Sequence, residues 1–241
     1  MQQKAKPVPR PKERQKSRAC NVRRRGEIAR SLDHTPDLFS TALIPGLIYK
    51  PDLLSKQEEA GAIARFAGLP FKPFEFHGHL GNRRVVSFGW RYDYGAQHLQ
   101  KSAPIPDFIK SLREVAAIFS GLDPSSLEHA LVTEYTPGAG IGWHRDKAMF
   151  DHVVAFSFLS SCRLRFRRRA EKGWDRRDII VEPCSGYLLS GEARSVWEHS
   201  IPPAEQKRYS LTFRDLRSSF KEIRSETQSA FQRQSDRGRG G

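Results

Sequence analysis

ALVTEY at 130–135, VVAFSFL at 153–159, CRLRFRR at 162–168, DIIV at 178–181, GYLL at 186–189 and RYSLTF at 208–213 are short runs of strand-forming residues. Proline and glycine interrupt the chain between these runs, and no helical pattern of apolar residues intervenes. Short strands that follow one another without helices are typical of a sandwich or barrel of mostly antiparallel strands. The stretch therefore predicts a β-sandwich core.

Helical patterns lie upstream of these strands. The sequence SKQEE, beginning at Ser55, resembles a capping box with Glu58 at its third position, and it predicts a helix through about Ala67. Apolar residues at 109, 112, 115, 116 and 119 predict a second, amphipathic helix. We therefore expect an α+β fold in which the helices come first and the β-sandwich follows.

The basic charge of the chain is concentrated near its beginning. The 241 residues carry 41 Lys and Arg against 27 Asp and Glu, a net charge of +14, yet residues 1–30 hold eleven of the basic side chains and only two acidic ones. Such a segment buries too little apolar surface to offset the entropy lost on ordering. We predict a disordered basic arm over 1–37, a globular domain over 38–216 and a flexible tail over 217–241. The arm either attaches to nucleic acid through its charge or is simply a solvated tail.

Cysteine content and hydropathy restrict the class of protein. Three cysteines without a CxxC spacing exclude a disulfide framework and disfavour a structural zinc site. No run approaches the roughly 18 consecutive apolar residues that a membrane helix needs. We therefore expect a cytoplasmic protein without a membrane span. We also expect a monomer.

One group of side chains suggests a metal site. His144 and Asp146 are two residues apart, so in an extended segment they point to the same side. His199 follows in the strand-like run WEHSI. Two histidines and one carboxylate form the facial triad of non-haem Fe(II) oxygenases, and the same residue types would also suit zinc.

The strand RYSLTFR at 208–214 adds a second feature. Its even-numbered residues share one face, which includes both terminal arginines, and its odd-numbered residues share the other. Six residues of strand span about 20 Å, so two long side chains leaning towards each other, Arg208 and Arg214, could grip the two ends of a small dicarboxylate. An edge strand with two solvated arginines is the alternative interpretation.

Three segments together resemble the AlkB family of 2-oxoglutarate- and Fe(II)-dependent dioxygenases. They are YTPGAGIGWHRD at 135–146, GYLLSGEARSVWEH at 186–199 and RYSLTFR at 208–214, and they occur in the family's order. The resemblance extends from about residue 40 to 214. It implies a double-stranded β-helix, or jelly roll, with a substrate lid, and an enzyme that uses Fe(II), 2-oxoglutarate and dioxygen.

The resemblance also assigns roles to particular residues. His144, Asp146 and His199 would bind iron, and Arg208 and Arg214 would hold 2-oxoglutarate. Tyr135 matches the family's cosubstrate-binding tyrosine, and Ser210 and Thr133 are candidate cosubstrate contacts beside it. Thr133 stands where family members often have asparagine. Ala148 stands where the bacterial type has an acid that is associated with recognition of the damaged base.

The implied activity is the oxidative removal of N-alkyl groups from DNA or RNA bases, as in the repair of alkylation damage. The segment 77–94 falls where the family places its substrate lid, and its aromatics and arginines could stack on a flipped base and bind its phosphates. The candidate substrate contacts are Trp90, Tyr92, Tyr94, Arg84 and Arg91. An ordinary core strand is the alternative for this segment. For the whole chain, the alternatives are oxidation of a protein side chain and a non-catalytic, nucleic-acid-binding jelly roll.

Overall fold

Thirteen strands and three α-helices make up the part of the chain that the structure, a computed structural model, describes: residues 44–76, 79–93 and 98–218. The helices are α1 (Lys56–Phe66), α2 (Asp107–Ser120) and α3 (Gly191–Ser195). The first strands are β1 (Leu47–Lys50), β2 (Lys72–Phe76), β3 (His79–Phe88), β4 (Trp90–Asp93), β5 (His98–Lys101) and β6 (His129–Tyr135). The others are β7 (Ile141–His144), β8 (Phe150–Phe158), β9 (Cys162–Arg169), β10 (Trp174–Val181), β11 (Gly186–Leu189), β12 (Glu198–Ile201) and β13 (Arg208–Leu216).

From β6 onward the chain passes back and forth between two antiparallel sheets, with β9 and β10 as consecutive strands of the smaller one. The larger sheet has seven strands in the order β1-β11-β8-β13-β6-β3-β2, and the smaller has four in the order β10-β9-β12-β7. A chain that passes repeatedly from one sheet to the other in this way is a double-stranded β-helix. The predicted jelly roll within an α+β fold is therefore confirmed.

The helices, the larger sheet and the smaller sheet form three layers, with an apolar cluster at each of the two interfaces between them. On one face of the larger sheet, Phe156, Leu211 and Phe213 pack against apolar residues of α1 and α2, including Phe66 and Ile109. On the other face, residues of both sheets meet in a second cluster that includes Tyr135, Phe166 and Trp197. The predicted alternation along β13 is confirmed, because its odd-numbered residues face the helices and its even-numbered residues face the smaller sheet.

The helices do not precede the sheets as the sequence suggested. β1 comes before α1, and β2 and β3 lie between the helices and extend the larger sheet. β1 and β2 lack a clear pattern, since β1 has only four residues and β2 contains Pro73. Their pairing with distant strands, rather than local propensity, makes them strands.

The predicted capping box holds the start of α1. The Glu58 backbone N–H donates to the Ser55 hydroxyl at 3.2 Å, and the Ser55 N–H donates to the Glu58 carboxylate at 2.7 Å. One turn into the helix, the buried Glu59 accepts from the Leu159 N–H at 3.0 Å and from the Cys184 thiol at 3.0 Å. Both partners have positive φ, so Glu59 ties α1 to two strained loop residues.

The predicted arm lies outside the described residues, as does the predicted tail beyond its first two positions, so these boundaries stay predictions. In the part of the chain that is described, no helix has the length and apolar character needed to cross a membrane.

A glycine separates β3 from the hairpin formed by β4 and β5. Gly89 has φ +74°, and its N–H donates to the Ala103 carbonyl at 2.7 Å. A Cβ at this position would lie 2.0 Å from the carbonyl oxygen of Glu128. The close approach requires glycine here, and at this residue the chain leaves the larger sheet, so that β3 and β4 belong to different sheets.

We expect Gly89→Ala to lower the free energy of unfolding by at least about 3 kcal/mol, because left-handed strain and a backbone clash add together. Gly121→Ala is the matched control: Gly121 has φ +71° at the end of α2, but its Cβ would meet no described atom within 4 Å. That change should cost only about 1 kcal/mol. Urea denaturation of both variants measures the difference, and equal losses would contradict the close approach.

Candidate metal centre and cosubstrate cavity

Two neighbouring strands of the smaller sheet place the histidines of the predicted triad opposite each other. His144 on β7 and His199 on β12 are register partners, with ring centroids 4.3 Å apart. Asp146 lies two residues beyond His144, and its Oδ2 is 3.4 Å from His199 Nε2. The possible ligand atoms of all three residues lie within 4.8 Å of one another. The structure thus brings together a donor set that could hold one metal ion.

Both histidines can direct a ring nitrogen to this point. His144 Nδ1 lies 2.9 Å from the Gly142 carbonyl oxygen, which can only accept, so Nδ1 carries a proton and Nε2 is the nitrogen left for a metal. Burial lowers the pKa of His199 to about 3, so this ring is uncharged at neutral pH and can offer a lone pair. A ring nitrogen held by a backbone carbonyl, as in His144, is a common feature of metal-binding histidines.

Asp146 is held as a carboxylate by an arginine on the larger sheet. Arg214 Nε and Nη2 each lie 2.8 Å from Asp146 Oδ1. Burial is the largest single influence and would raise the pKa of Asp146, but the charge and hydrogen bond of Arg214, together with the neighbouring His199 and His144, hold this pKa well below its usual range. Arg214 Nη1 also lies 3.4 Å from His129 Nδ1, and burial lowers the pKa of His129 to about 3, so that ring can accept the bond.

The other arginine of β13 is buried without an anion. Arg208 is 1% exposed, donates from Nε to the Ser157 hydroxyl at 3.3 Å, and lies 4.9 Å from the centre of the Tyr135 ring. Its Nη1 has no hydrogen-bond partner, and Arg208 forms no ion pair within the described ranges. Since a buried guanidinium normally pairs with an anion, the site is suited to a ligand carboxylate.

A cavity of about 1620 Å³ between the sheets contains the triad. Its wall includes the predicted cosubstrate contacts Thr133, Tyr135 and Ser210, together with Arg214. It is larger than most small-ligand pockets, whose volumes are about 300–1,000 Å³, so it could admit a cosubstrate and a second substrate group.

Comparison with known proteins agrees with this geometry. Residues 46–220 match the family described as the 2OG-Fe(II) oxygenase superfamily. This chain belongs to that superfamily. The predicted enzyme class is thereby confirmed, and with it the use of Fe(II), 2-oxoglutarate and dioxygen that characterises the family. The triad supplies the two imidazoles and one carboxylate that Fe(II) takes in non-haem oxygenases.

Similar proteins support the AlkB resemblance. The Arabidopsis thaliana alkylated DNA repair protein ALKBH8 homolog is 30% identical over 183 residues, covering 66% of this chain and 51% of the plant protein. The Mus musculus tRNA (carboxymethyluridine(34)-5-O)-methyltransferase ALKBH8 is 26% identical over 175 residues, covering 67% and 25%. This chain thus spans about half of the first protein and a quarter of the second. The solved structure of OsALKBH1 superposes with a TM-score of 0.54 at 18% identity, covering 71% of this chain and 98% of that one.

Only some of the predicted substrate contacts of this oxygenase line the cavity. Arg91 and Tyr92 line the cavity. Arg84 is absent from its wall and forms an ion pair with the buried Glu134, whose pKa is held below its usual range by Lys207, Arg84 and Tyr209 despite burial. Trp90 is 8% exposed and packs with Phe150 and Leu216, also away from the cavity wall. Tyr94 lies outside the described residues.

Sequence reasoning missed the residue that fixes the loop after Asp146. Arg194, in the short helix α3, is buried and donates from Nη2 to the carbonyl oxygens of Lys147 and Phe150. Two carbonyls gripped by one guanidinium hold the segment that follows the carboxylate. Nothing in the local pattern GEARS marks this role, because its partners lie more than 40 residues earlier in the chain.

Asp146→Asn should weaken Co(II) binding at least about 100-fold, because one charged donor is lost while the residue keeps its size and an acceptor for Arg214. Asp151→Asn, an exposed carboxylate on β8, is the control and should bind as the wild type does. Visible absorption of bound Co(II) in a titration measures both constants. Equal binding by the two variants would place the metal elsewhere.

Proposed function

We propose that this oxygenase removes N-alkyl groups from nucleic-acid bases, with His144, Asp146 and His199 as the ligands of Fe(II). The observation that carries the proposal is the position of this triad inside a large cavity with a predominantly basic wall. Six Lys and Arg side chains line the cavity, against the carboxylates of Glu75 and Asp146. A polyanionic substrate whose base enters the cavity matches this distribution of charge.

Fe(II) held by the triad would supply the oxidising chemistry, which consumes dioxygen, converts 2-oxoglutarate to succinate and carbon dioxide, and hydroxylates the alkyl carbon. The hydroxylated carbon then separates from the base nitrogen as an aldehyde, and the nitrogen regains a proton. For a methyl group the products are the unmodified base and formaldehyde.

The protein's own part begins with the cosubstrate. The unpaired Nη1 of Arg208 is suited to one carboxylate of 2-oxoglutarate, with the Tyr135 ring packed against the same guanidinium. Thr133 and Ser210 add hydroxyl groups to the cavity wall, whereas the buried Arg208 is not itself a lining residue. Arg214 is already engaged by Asp146, so its main task is to keep that carboxylate charged and oriented.

The cavity wall also provides candidate contacts for the substrate. Tyr92 offers an aromatic ring for stacking, and the ammonium group of Lys147 lies 4.3 Å from the centre of that ring. Arg91 and Arg145 lie on the same wall and suit phosphate groups. Ala148 contributes no acid to this wall, so the base would be bound without a carboxylate at that position.

The similar proteins support this substrate class. The name of the plant relative refers to repair of alkylated DNA, and that of the mouse relative refers to tRNA. Oxidation of a protein side chain is the alternative activity that a direct test must distinguish from demethylation of nucleic acid. A cytoplasmic location and a monomeric state remain predictions from the sequence.

The proposal is tested by incubating the Fe(II)-loaded protein, with 2-oxoglutarate and in air, with DNA and RNA oligonucleotides that carry one N-methylated base. Formaldehyde and succinate should form in equal amounts, and His144→Ala should form neither. A trimethyl-lysine peptide is included in the same assay. Succinate without formaldehyde from every oligonucleotide, or formaldehyde from the peptide alone, would overturn the proposal.

Arg208→Lys should raise the KM for 2-oxoglutarate about 10- to 100-fold, because lysine keeps the charge but loses the forked pairing with a carboxylate. The kcat should fall much less, since the change affects binding equally before and during the reaction. Arg65→Lys, at an exposed position of α1, is the control. An unchanged KM in Arg208→Lys would show that the carboxylate binds elsewhere.

A further inference from the structure

The outer face of the smaller sheet carries an alternating stack of arginine and tryptophan. Arg165, Trp143, Arg167, Trp174 and Arg169, which we call the arginine–tryptophan ladder, come from β9 and from the two edge strands β7 and β10. The three arginines are alternate residues of β9 and so share a face, about 7 Å apart. Residue 143 belongs to this face because His144, its neighbour, points to the inner side.

The guanidinium groups lie over the indole rings in sequence. Arg165 and Arg167 lie 5.1 and 4.5 Å from the centre of the Trp143 ring. Arg167 and Arg169 lie 4.2 and 4.3 Å from the centre of the Trp174 ring. Arg167 therefore contacts both rings, and the five side chains form one continuous stack.

The charge on this face is mostly uncompensated. Arg163 pairs with Asp178 at 2.9 Å, and Arg167 pairs with Glu198 at 2.6 Å. Arg165, Arg169 and Arg176, the last opposite Arg167 in the register, form no ion pair with any residue in the described ranges. Five arginines against two carboxylates leave a positive surface. The apolar cluster that the smaller sheet shares with the larger one lies on the other face of the smaller sheet.

Contact with the indole rings prepares the arginines for phosphate. A free surface arginine loses about 2 kcal/mol of rotamer entropy when it is fixed, whereas here each guanidinium group already lies against an indole ring. The Nε groups of Arg165 and Arg167 are engaged by Ser200 and Glu198, and the remaining N–H groups of the ladder can bind phosphate oxygens. Protection of an exposed edge strand against aggregation would need the charges, but it would not need the tryptophans.

The ladder begins at the cavity. Trp143 lines the cavity wall and immediately precedes the metal-ligand candidate His144. An arginine every second residue, about 7 Å apart, is close to the spacing of successive phosphates in an extended single strand. A strand with one base in the cavity could thus continue over β7 and across β9.

We propose that the arginine–tryptophan ladder binds the phosphodiester backbone of the nucleic-acid substrate outside the cavity, an inference that rests on the proposed function for the identity of the strand. Recognition is by charge and spacing, so it is independent of base sequence and of methylation.

Fluorescence anisotropy with a labelled, unmethylated 12-nucleotide single strand tests the proposal in the full chain. Arg165→Ala/Arg169→Ala should raise the Kd roughly tenfold, and should reduce the slope of log K against log salt by about 1.4, as expected for two lost phosphate contacts on a single strand. Arg165→Lys/Arg169→Lys should keep the slope but lose part of the affinity, because lysine does not stack or fork in the same way. A duplex of the same length shows whether single strands are preferred.

The matched control removes two positive charges at a distance from the ladder. Arg65→Ala/Lys110→Ala changes α1 and α2, which cover the opposite face of the larger sheet, and should bind as the wild type does. Equal Kd values for the wild type and the Arg165/Arg169 variants, or an equal loss in the control, would overturn the proposal.

The experiments distinguish an error in the proposed role of the ladder from an error in the proposed function. If the wild type demethylates oligonucleotides while the ladder variants bind them normally, only the ladder is wrong. If ladder-dependent binding is observed but no oligonucleotide is demethylated, the ladder stands and the proposed activity is wrong.

Discussion

The ion pair between Arg214 and Asp146 is the constraint on which the rest of the site depends. It joins the centre of the larger sheet to the segment that follows β7, so the carboxylate is fixed relative to both sheets at once. A buried carboxylate alone would tend to take up a proton. The forked contact makes the charged form the stable one, and a charged carboxylate is the form that binds a cation.

The positive charge of Arg214 restricts the protonation state of the residues around the ion pair. A second cation beside Arg214 would be costly, and both buried histidines near it are neutral because burial lowers their pKa values to about 3. His129 can therefore accept a bond from Arg214, while His199 keeps a lone pair for a metal. The strand register then places Arg208 six residues away, at the far end of the same face of β13.

The period of two along a strand allowed part of this arrangement to be predicted from the sequence. Which distant residues become contact partners could not be predicted in this way. The two faces of β13 and the convergence of His144 with Asp146 follow from a period of two, and the structure shows both. The same alternation separates Arg83 from Arg84, but only the pairing of β3 with β6 decides which of them faces the cavity. Arg194 could not be found from sequence, because the carbonyls it holds belong to a loop brought close by the fold.

The distribution of charge over the surface is a further property that the sequence alone does not determine. Residues 31–214 are nearly balanced in sequence, yet the fold uses its acids unevenly. Glu134 is enclosed by Arg84 and Lys207 beside the helices, whereas the cavity wall and the outer face of the smaller sheet keep an excess of arginine. A domain can thus have little net charge and still present a continuous basic surface, provided that its carboxylates are buried in ion pairs elsewhere. The position of the acids, which only the fold determines, is therefore what makes the arginines of β9 available to an anionic partner.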